Sequence, residues 1–242
     1  MRMTFGSTDT GLVRQANQDR FECAALSDTL SFAVLCDGIG GENGGEIAAE
    51  IATTFAADML KRDLSEDMSE ISLRAIMYSA FSGANALVYE KAGIEKNLSG
   101  MGTTMIVAVR SDNTLFISHV GDSRVYLLRK DSEKILTRDH TLVQMLIDSG
   151  KLTEEEALTH PKRNYLTRAV GVSPSVDVEF QVYSLESEDL AMLCSDGFYH
   201  YLEAGQLREL VGRCVEAGNA DPMISHAKAG GGGDNITVVL MA

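Results

Sequence analysis

The sequence predicts an α+β fold in which antiparallel β-sheets pack on one another and are covered by helices. Short β-type apolar runs alternate with turn residues along most of the chain. Long helical segments stand together between the early strands instead of alternating with strands one by one. A parallel sheet would require regular strand–helix alternation, so this segregation favours antiparallel sheets with helices packed on them.

Apolar runs bounded by turn residues mark the predicted strands. Turns at residues 111–113 and 121–123 join three consecutive runs, and connections this short predict an antiparallel meander. The predicted strands are residues 32–36, 103–109, 115–120, 125–128, 176–183, 190–194 and 236–241.

Two long helices are predicted from apolar residues spaced three or four positions apart, which form one stripe on each helix. Each stripe is predicted to lie on a sheet. The first helix, residues 46–61, carries Ile47, Ile51, Phe55, Met59 and Leu60. The second, residues 69–92, carries Ile71, Ile76, Ala80, Phe81, Ala84, Leu87 and Val88. Shorter helices are predicted at residues 142–149, 204–217 and 222–229.

Composition narrows the class of protein. A chain of 242 residues without a Pro/Gly/Ser-rich linker is read as one domain. Its net charge of −14 repels a phosphate backbone, so nucleic acid is a poor candidate partner. The four cysteines have no zinc spacing and fit buried free thiols of a reducing compartment. No signal-peptide core or membrane-length apolar run is evident, so we expect a cytoplasmic protein.

An apolar strand that ends in Asp-Gly occurs twice. Asp37-Gly38 follows the run at residues 32–36, and Asp196-Gly197 follows the run at residues 190–194. A hairpin turn is the plain interpretation, but it requires a second strand immediately afterwards. Helix-like segments follow instead, which favours carboxylates held at rigid strand ends. Such carboxylates suit hard cations, and the neighbouring glycine allows close approach to its carbonyl.

Three further polar segments are candidates of lower specificity. Gly233-Asp234-Asn235 precedes the last strand, and Gly121-Asp122-Ser123 lies between two strands. Arg14 to Asp19 forms a polar cluster near the start of the chain. Taken alone, each is typical of an ordinary turn or polar loop.

Together these segments resemble the protein phosphatase 2C family, the metal-dependent Ser/Thr phosphatases, in its compact bacterial form. Seven motifs occur in family order across nearly the whole chain. They are Thr8-Asp9-x-Gly11-x-x-Arg14-x-x-Asn17-Gln18-Asp19, Asp37-Gly38-Ile39-Gly40-Gly41 with Gly45-Glu46, Gly102-Thr103-Thr104, Gly121-Asp122-Ser123-Arg124-x-Tyr126, Leu166-Thr167-Arg168-Ala169-x-Gly171, Ser195-Asp196-Gly197 and Asp234-Asn235-Ile236-Thr237-Val238.

The resemblance implies a fold and a reaction. The fold is a four-layer α/β/β/α sandwich, in which two central antiparallel sheets are flanked by pairs of antiparallel helices. Residues 1–242 would form one catalytic domain that hydrolyses phosphoserine and phosphothreonine monoesters in proteins. Implied partners are phosphorylated protein substrates and a cognate Ser/Thr kinase, without nucleic acid or membrane, and we expect a monomer.

The resemblance also implies a metal site that uses Mg²⁺ or Mn²⁺. Asp37 would bridge two ions and Gly38 would offer its carbonyl, while Asp196 and Asp234 complete the pair. Asp122 corresponds to a ligand of a third ion seen in many bacterial relatives, to which Asp196 could also contribute. Two ions can share a water, lower its pKa and aim it at phosphorus.

Other roles are carried over from the family in the same way. Arg14 would bind phosphate with its guanidinium fork, and Asp19 would organise water around the ions. Residues 139–167 resemble the flap beside the active site, where His160 is a candidate for substrate binding and proton donation. A solvated surface segment explains the flap's basic residues equally well. Phosphate binding is an alternative for Arg124 and Arg168, but both are expected to form buried structural ion pairs.

Two positions depart from the pattern. Gln18 stands where the family often has glutamate, and it cannot carry a negative charge. Ile39 stands where animal members have a histidine that can act as general acid, so the leaving oxygen needs another proton donor. A phosphoprotein-binding pseudophosphatase is the alternative, but Asp37, Asp196 and Asp234 are all retained. A purely structural β-sandwich with acidic turns does not explain the ordered motifs.

Overall fold

The computed structural model describes residues 3–40, 44–203 and 205–242. Gly41 of the second motif and Ala204, the predicted start of a helix, lie outside these ranges. The strands are β1 Thr4–Asp9, β2 Asp19–Ala25, β3 Leu30–Ile39, β4 Gly102–Thr103, β5 Met105–Ser111, β6 Thr114–Val120, β7 Arg124–Arg129, β8 Ser132–Ile135, β9 Glu179–Ser184, β10 Leu190–Cys194 and β11 Ile236–Met241. The helices are α1 Gly44–Asp63, α2 Glu70–Ile94, α3 Leu142–Asp148, α4 Glu154–Leu158, α5 Asp196–Tyr199, α6 Leu207–Ala217 and α7 Asp221–Ala229.

Two antiparallel sheets form the centre of the molecule. The first has the order β1-β11-β10-β7-β8, and the second has the order β2-β3-β5-β6-β9 with β4 paired to β3. A buried cluster that includes Leu35, Ile106 and Leu193 fills the space between the sheets. This arrangement confirms the predicted sandwich.

Helices cover both outer faces of the sandwich. Helices α1 and α2 pack on the second sheet around Phe32 and Phe81. Helices α6 and α7 pack on the first sheet around Phe198 and Met192. The four layers therefore follow the predicted α/β/β/α order. No helix among the described residues has the length and apolar content required to cross a membrane.

The predicted meander is correct for β5 and β6 but wrong for the next connection. Strand β6 lies in the second sheet and β7 lies in the first. Gly121, in the turn between them, has a φ of +108°, and a Cβ there would lie 2.6 Å from the Thr104 side chain. The turn therefore carries the chain from one sheet to the other, and only glycine fits its backbone.

Some residues of the predicted apolar stripes do not face the sheet. On α1, a row of alanines contacts the sheet, while Phe55 is only partly buried and lies against Gly83 of α2. On α2, Ile71 is 82% exposed and Leu87 is 42% exposed, whereas Leu73 and Met77 are buried. Apolar residues occur on two faces near the start of α2, so periodicity alone does not select the face that packs.

Candidate active site

Strand ends gather the predicted aspartates around one cavity. Asp37 is near the end of β3, Asp122 follows β6, Asp196 follows β10 and Asp234 lies two residues before β11. All four, together with Arg14, line a cavity of about 780 Å³. Residues distant in sequence meet here because the ends of strands from both sheets converge at the same edge of the sandwich.

Main-chain contacts fix the end of β3 at Asp37. The Asp37 N–H donates to Thr104 Oγ1 at 2.9 Å. Its carbonyl accepts from the Thr104 N–H at 2.8 Å and from Thr103 Oγ1 at 2.9 Å. The Asp37 carboxylate therefore projects into the cavity from a backbone that is held on both sides, which explains the Gly102-Thr103-Thr104 motif.

Asn235 ties the two C-terminal aspartates to the loop at residues 10–18. Its Oδ1 accepts from the Gln18 N–H, and its Nδ2 donates to the carbonyls of Thr10 and Ala16, at 2.8–2.9 Å. A Cβ on Gly197 would lie 2.0 Å from the Asn235 carbonyl oxygen. Asp196 and Asp234 are thus held close together by backbone packing that requires glycine at position 197.

Asp19 lies beneath the cavity and is fully buried. It pairs with Asp37 across β2 and β3, and its Oδ2 accepts from Ser195 Oγ and Thr237 Oγ1, both at 2.7 Å. Its Oδ1 has no hydrogen-bond partner among the described residues. A buried carboxylate oxygen without a donor is costly, so the local chemistry favours a cation or an ordered water there.

Burial and mutual repulsion raise the pKa values of the aspartates around the cavity. Burial, together with the charges of the neighbouring aspartates, holds the pKa of Asp37 well above its usual range and raises that of Asp196. Burial raises the pKa of Asp19 to about 6 and that of Asp122 to about 7. Carboxylates crowded in this way lower their free energy by binding divalent cations, which prefer oxygen ligands. The residues present therefore fit Mg²⁺ or Mn²⁺.

Arg14 contributes a positive charge to the cavity wall. Its NH2 donates to Asp234 Oδ2 at 2.7 Å, and this hydrogen bond raises the pKa of Arg14. The arginine side chain is 54% exposed, so part of its guanidinium fork faces solvent. The predicted phosphate-binding residue is therefore adjacent to a predicted metal ligand, and its hydrogen bond to Asp234 uses one of its donors.

The flap contributes Asn164 and Leu166 to the described cavity wall, whereas His160 lies outside that lining. His160 Nδ1 instead accepts from the Lys162 N–H at 3.1 Å. The structure thus brings the predicted aspartates and Arg14 together but leaves His160 apart from them.

The expected ion pairs of two other arginines are present. Arg124 pairs with both carboxylate oxygens of Asp139 at 2.8–3.0 Å and stacks over the Tyr199 ring at 3.9 Å. Arg168 lies 3.3 Å from Glu179 but is 37% exposed, so this pair is less buried than expected.

Replacing Gly38 with alanine is expected to abolish activity and destabilise the protein. A Cβ at this position would lie 2.1 Å from the Gly45 carbonyl oxygen and 2.8 Å from that of Gln18, and neither backbone atom can rotate away. We expect a loss of about 2–4 kcal/mol in the free energy of unfolding, measured by urea denaturation. Gly93→Ala is the control, since a Cβ there meets open space. Equal stability of both variants would contradict this packing argument.

The four layers and the cavity of converging carboxylates define this protein as an α/β/β/α sandwich with a site suited to divalent cations. A family model described as Protein phosphatase 2C matches residues 13–223. The serine/threonine phosphatase Stp of Listeria innocua is 33% identical over 235 residues, which cover 97% of this chain and 93% of that protein.

Solved structures agree with the sequence relatives. A serine/threonine phosphatase of S. agalactiae has a TM-score of 0.89 at 32% identity, with 100% of this chain and 99% of that chain covered. The PstP catalytic domain in complex with two manganese ions has a TM-score of 0.84 at 31% identity. The match covers 99% of this chain and 97% of that chain. The chain belongs to the protein phosphatase 2C family.

Proposed function

We propose that this protein phosphatase uses Mg²⁺ or Mn²⁺ to remove phosphate from phosphoserine and phosphothreonine residues of proteins. The observation that carries this proposal is the cavity in which Asp37, Asp122, Asp196 and Asp234 converge, where Arg14 is the single cationic side chain among the described lining residues. The names of the relatives support the substrate class, since they are serine/threonine phosphatases.

Two divalent ions would be held by Asp37, the Gly38 carbonyl, Asp196 and Asp234, and a third by Asp122 together with Asp196. The PstP complex with two manganese ions supports the number in the core site. When bound, such ions supply a water of lowered pKa and neutralise phosphate charge. The chain itself fixes the carboxylates at strand ends, and Asp19 supports Asp37 and the water network from below.

Protonation of the leaving oxygen needs a group other than histidine in this cavity. Ile39 is part of the described lining, which contains no histidine, and His160 lies outside it. We therefore propose that cavity water supplies the proton, and that His160 contributes to binding the protein substrate at the flap.

Arg14→Lys is expected to lower kcat/KM by about ten- to a hundredfold, mainly through a higher KM. Lysine keeps the positive charge but loses the fork that binds two phosphate oxygens at once. Steady-state kinetics on a phosphothreonine peptide measure this effect. Arg74→Lys, on the exposed surface of α2, is the matched control. If KM and kcat of Arg14→Lys both matched the wild type, Arg14 would not bind the phosphate.

The function is tested by hydrolysis of an aryl phosphate and of a phosphothreonine peptide. Mn²⁺ or Mg²⁺ should support both reactions, EDTA should abolish them, and added metal should restore them. Turnover of the wild-type protein that persists after exhaustive chelation would contradict the metal-dependent mechanism.

The cellular setting is part of the same proposal. We propose that residues 1–242 form a catalytic domain that acts in the cytoplasm as a monomer and opposes a Ser/Thr kinase. A phosphoproteome comparison between the wild-type host and one that expresses only Asp37→Asn would identify the substrates.

A further inference from the structure

His140 lies where the base of the flap meets the turn that carries Asp122. Its N–H donates to the Gly121 carbonyl at 2.9 Å, and its own carbonyl accepts from the Thr167 N–H at 2.8 Å. Next to it, Thr141 pairs with Leu166, which lines the cavity. The backbone of one buried residue therefore joins both ends of the flap to the Asp122 turn.

The His140 side chain makes a second connection to the same turn. The Gly121 N–H donates to His140 Nδ1 at 3.1 Å, so Nδ1 is the nitrogen without a proton. Its Nε2 then carries the proton and donates to Glu179 Oε1 at 2.9 Å. Glu179 thereby fixes the tautomer that allows the imidazole to accept from the Gly121 amide.

The turn anchored by His140 also reaches Asp37. Ser123 Oγ lies 2.8 Å from Thr104 Oγ1, and Thr104 Oγ1 accepts from the Asp37 N–H at 2.9 Å. A shift of the Gly121–Ser123 turn would therefore disturb Asp122 directly and Asp37 through Thr104. Hydrogen bonds therefore connect Glu179, through the His140 imidazole and the Gly121–Ser123 turn, to the backbone that holds both aspartates.

The same residues could be read as a separate metal site, since His119, His140 and Glu179 offer three ligand atoms within 4.8 Å of one another. Three contacts oppose this reading. The rings of His119 and His140 are stacked at 4.7 Å and 14°, so an ion is poorly placed to lie in both ring planes. The Arg168 guanidinium lies 3.3 Å from both Glu179 Oε1 and His140 Nε2, which repels a cation and requires no metal to balance Glu179.

We propose that His140 is a positioning residue whose Glu179-locked tautomer holds the Asp122 turn in register with the flap. The role of Asp122 in this statement rests on the proposed function. Loss of the Nδ1 acceptor should loosen the turn, and with it the alignment of Asp122 and Asp37, even when the cluster stays folded.

Two variants test the hydrogen bonds of Nδ1 and Nε2 separately. His140→Asn keeps an acceptor oxygen near the position of Nδ1 but loses the bond to Glu179. His140→Gln can still reach Glu179 with its amide but loses the acceptor for Gly121. We expect Gly121 amide exchange to rise by roughly tenfold more in His140→Gln than in His140→Asn, with a similar difference in kcat. A merely structural role would predict equal effects, because each variant loses one buried hydrogen bond.

Nuclear magnetic resonance gives a readout that is independent of catalysis and of the proposed function. In the full-length wild type, the His140 ¹⁵N shifts should show the proton on Nε2, and Glu179→Ala should produce a mixture of tautomers. A wild-type proton on Nδ1, or equal exchange and kcat in the two His140 variants, would overturn the proposal. So would saturable shifts of both His119 and His140 on addition of Zn²⁺, which would make the cluster a metal site. The wild-type tautomer measurement tests the proposal even if the variants fail to fold.

Discussion

Asp37→Asn is expected to lower kcat by at least about a thousandfold while the fold stays intact. Asparagine has nearly the same shape, and the contacts that hold position 37 to Thr103 and Thr104 use its main-chain atoms. What disappears is the negative charge that would bridge two cations. The measurement is kcat on a phosphothreonine peptide at saturating Mn²⁺, with circular dichroism to confirm the fold.

Asp112→Asn is the matched control because it makes the same chemical change in an exposed turn with a positive φ, which asparagine tolerates. The melting temperature of metal-free Asp37→Asn distinguishes loss of metal binding from loss of the folded structure. Burial and neighbouring charges raise the pKa of Asp37 above its value in the unfolded chain, so this carboxyl group lowers the stability of the metal-free protein at neutral pH. Metal-free Asp37→Asn should therefore melt higher than metal-free wild type. Turnover at the wild-type level would show that Asp37 is not the bridging ligand.

The strands that the sequence predicts are largely the central ones, whereas those it misses lie at the edges. Strands β3 and β5 each contain an apolar run of five residues, at 32–36 and 105–109, and β10 is apolar throughout and begins and ends at the predicted residues. Strands β1, β2 and β8 were not predicted, and each lies at the edge of its sheet. An edge strand has one unpaired side and more solvent contact, so its sequence need not form an apolar run.

The sequence predicts the chemistry of the site better than its support. Asp37 and Asp196 stand out because each ends an apolar strand, and the structure brings both to one cavity. The partners of Asp19 could not be predicted locally, since Ser195 and Thr237 lie more than 170 positions away in the chain. Their roles depend on the register between distant strands, which periodicity within one segment does not encode.

The position of His140 shows the same limit at the flap. Its neighbours in the sequence give no sign that its imidazole would contact Gly121 and Glu179, which lie 19 and 39 positions away. The short turn after β6 predicts an antiparallel meander, and a hairpin there would not direct Gly121 toward the flap. The correct pairing emerges only because this turn crosses between the two sheets.

The stabilisation that Mn²⁺ gives to the folded protein is expected to increase with pH. Burial raises the pKa of Asp19 to about 6 and that of Asp122 to about 7 in the folded protein, above the ordinary range of an aspartate. Without metal, a carboxyl group whose pKa is raised by folding stabilises the protein when protonated, below its unfolded pKa. That contribution is lost as the pH rises through the folded pKa, which here means between about pH 4 and pH 7.

Bound cations reverse this loss, because they compete with protons at low pH and neutralise the ionised carboxylates at high pH. Each unit of pKa shift corresponds to about 1.4 kcal/mol, so we expect the Tm difference between Mn²⁺ and EDTA to be about 5–10 °C larger at pH 8 than at pH 5. Differential scanning calorimetry measures it, with Asp122→Asn expected to flatten the pH dependence. Carboxylates with lowered pKa, such as Asp189, weaken the fold in acid with or without metal, so the difference between the two scans removes their effect. A Mn²⁺ increment that stays constant from pH 5 to pH 8 would mean that these aspartates do not hold the ion.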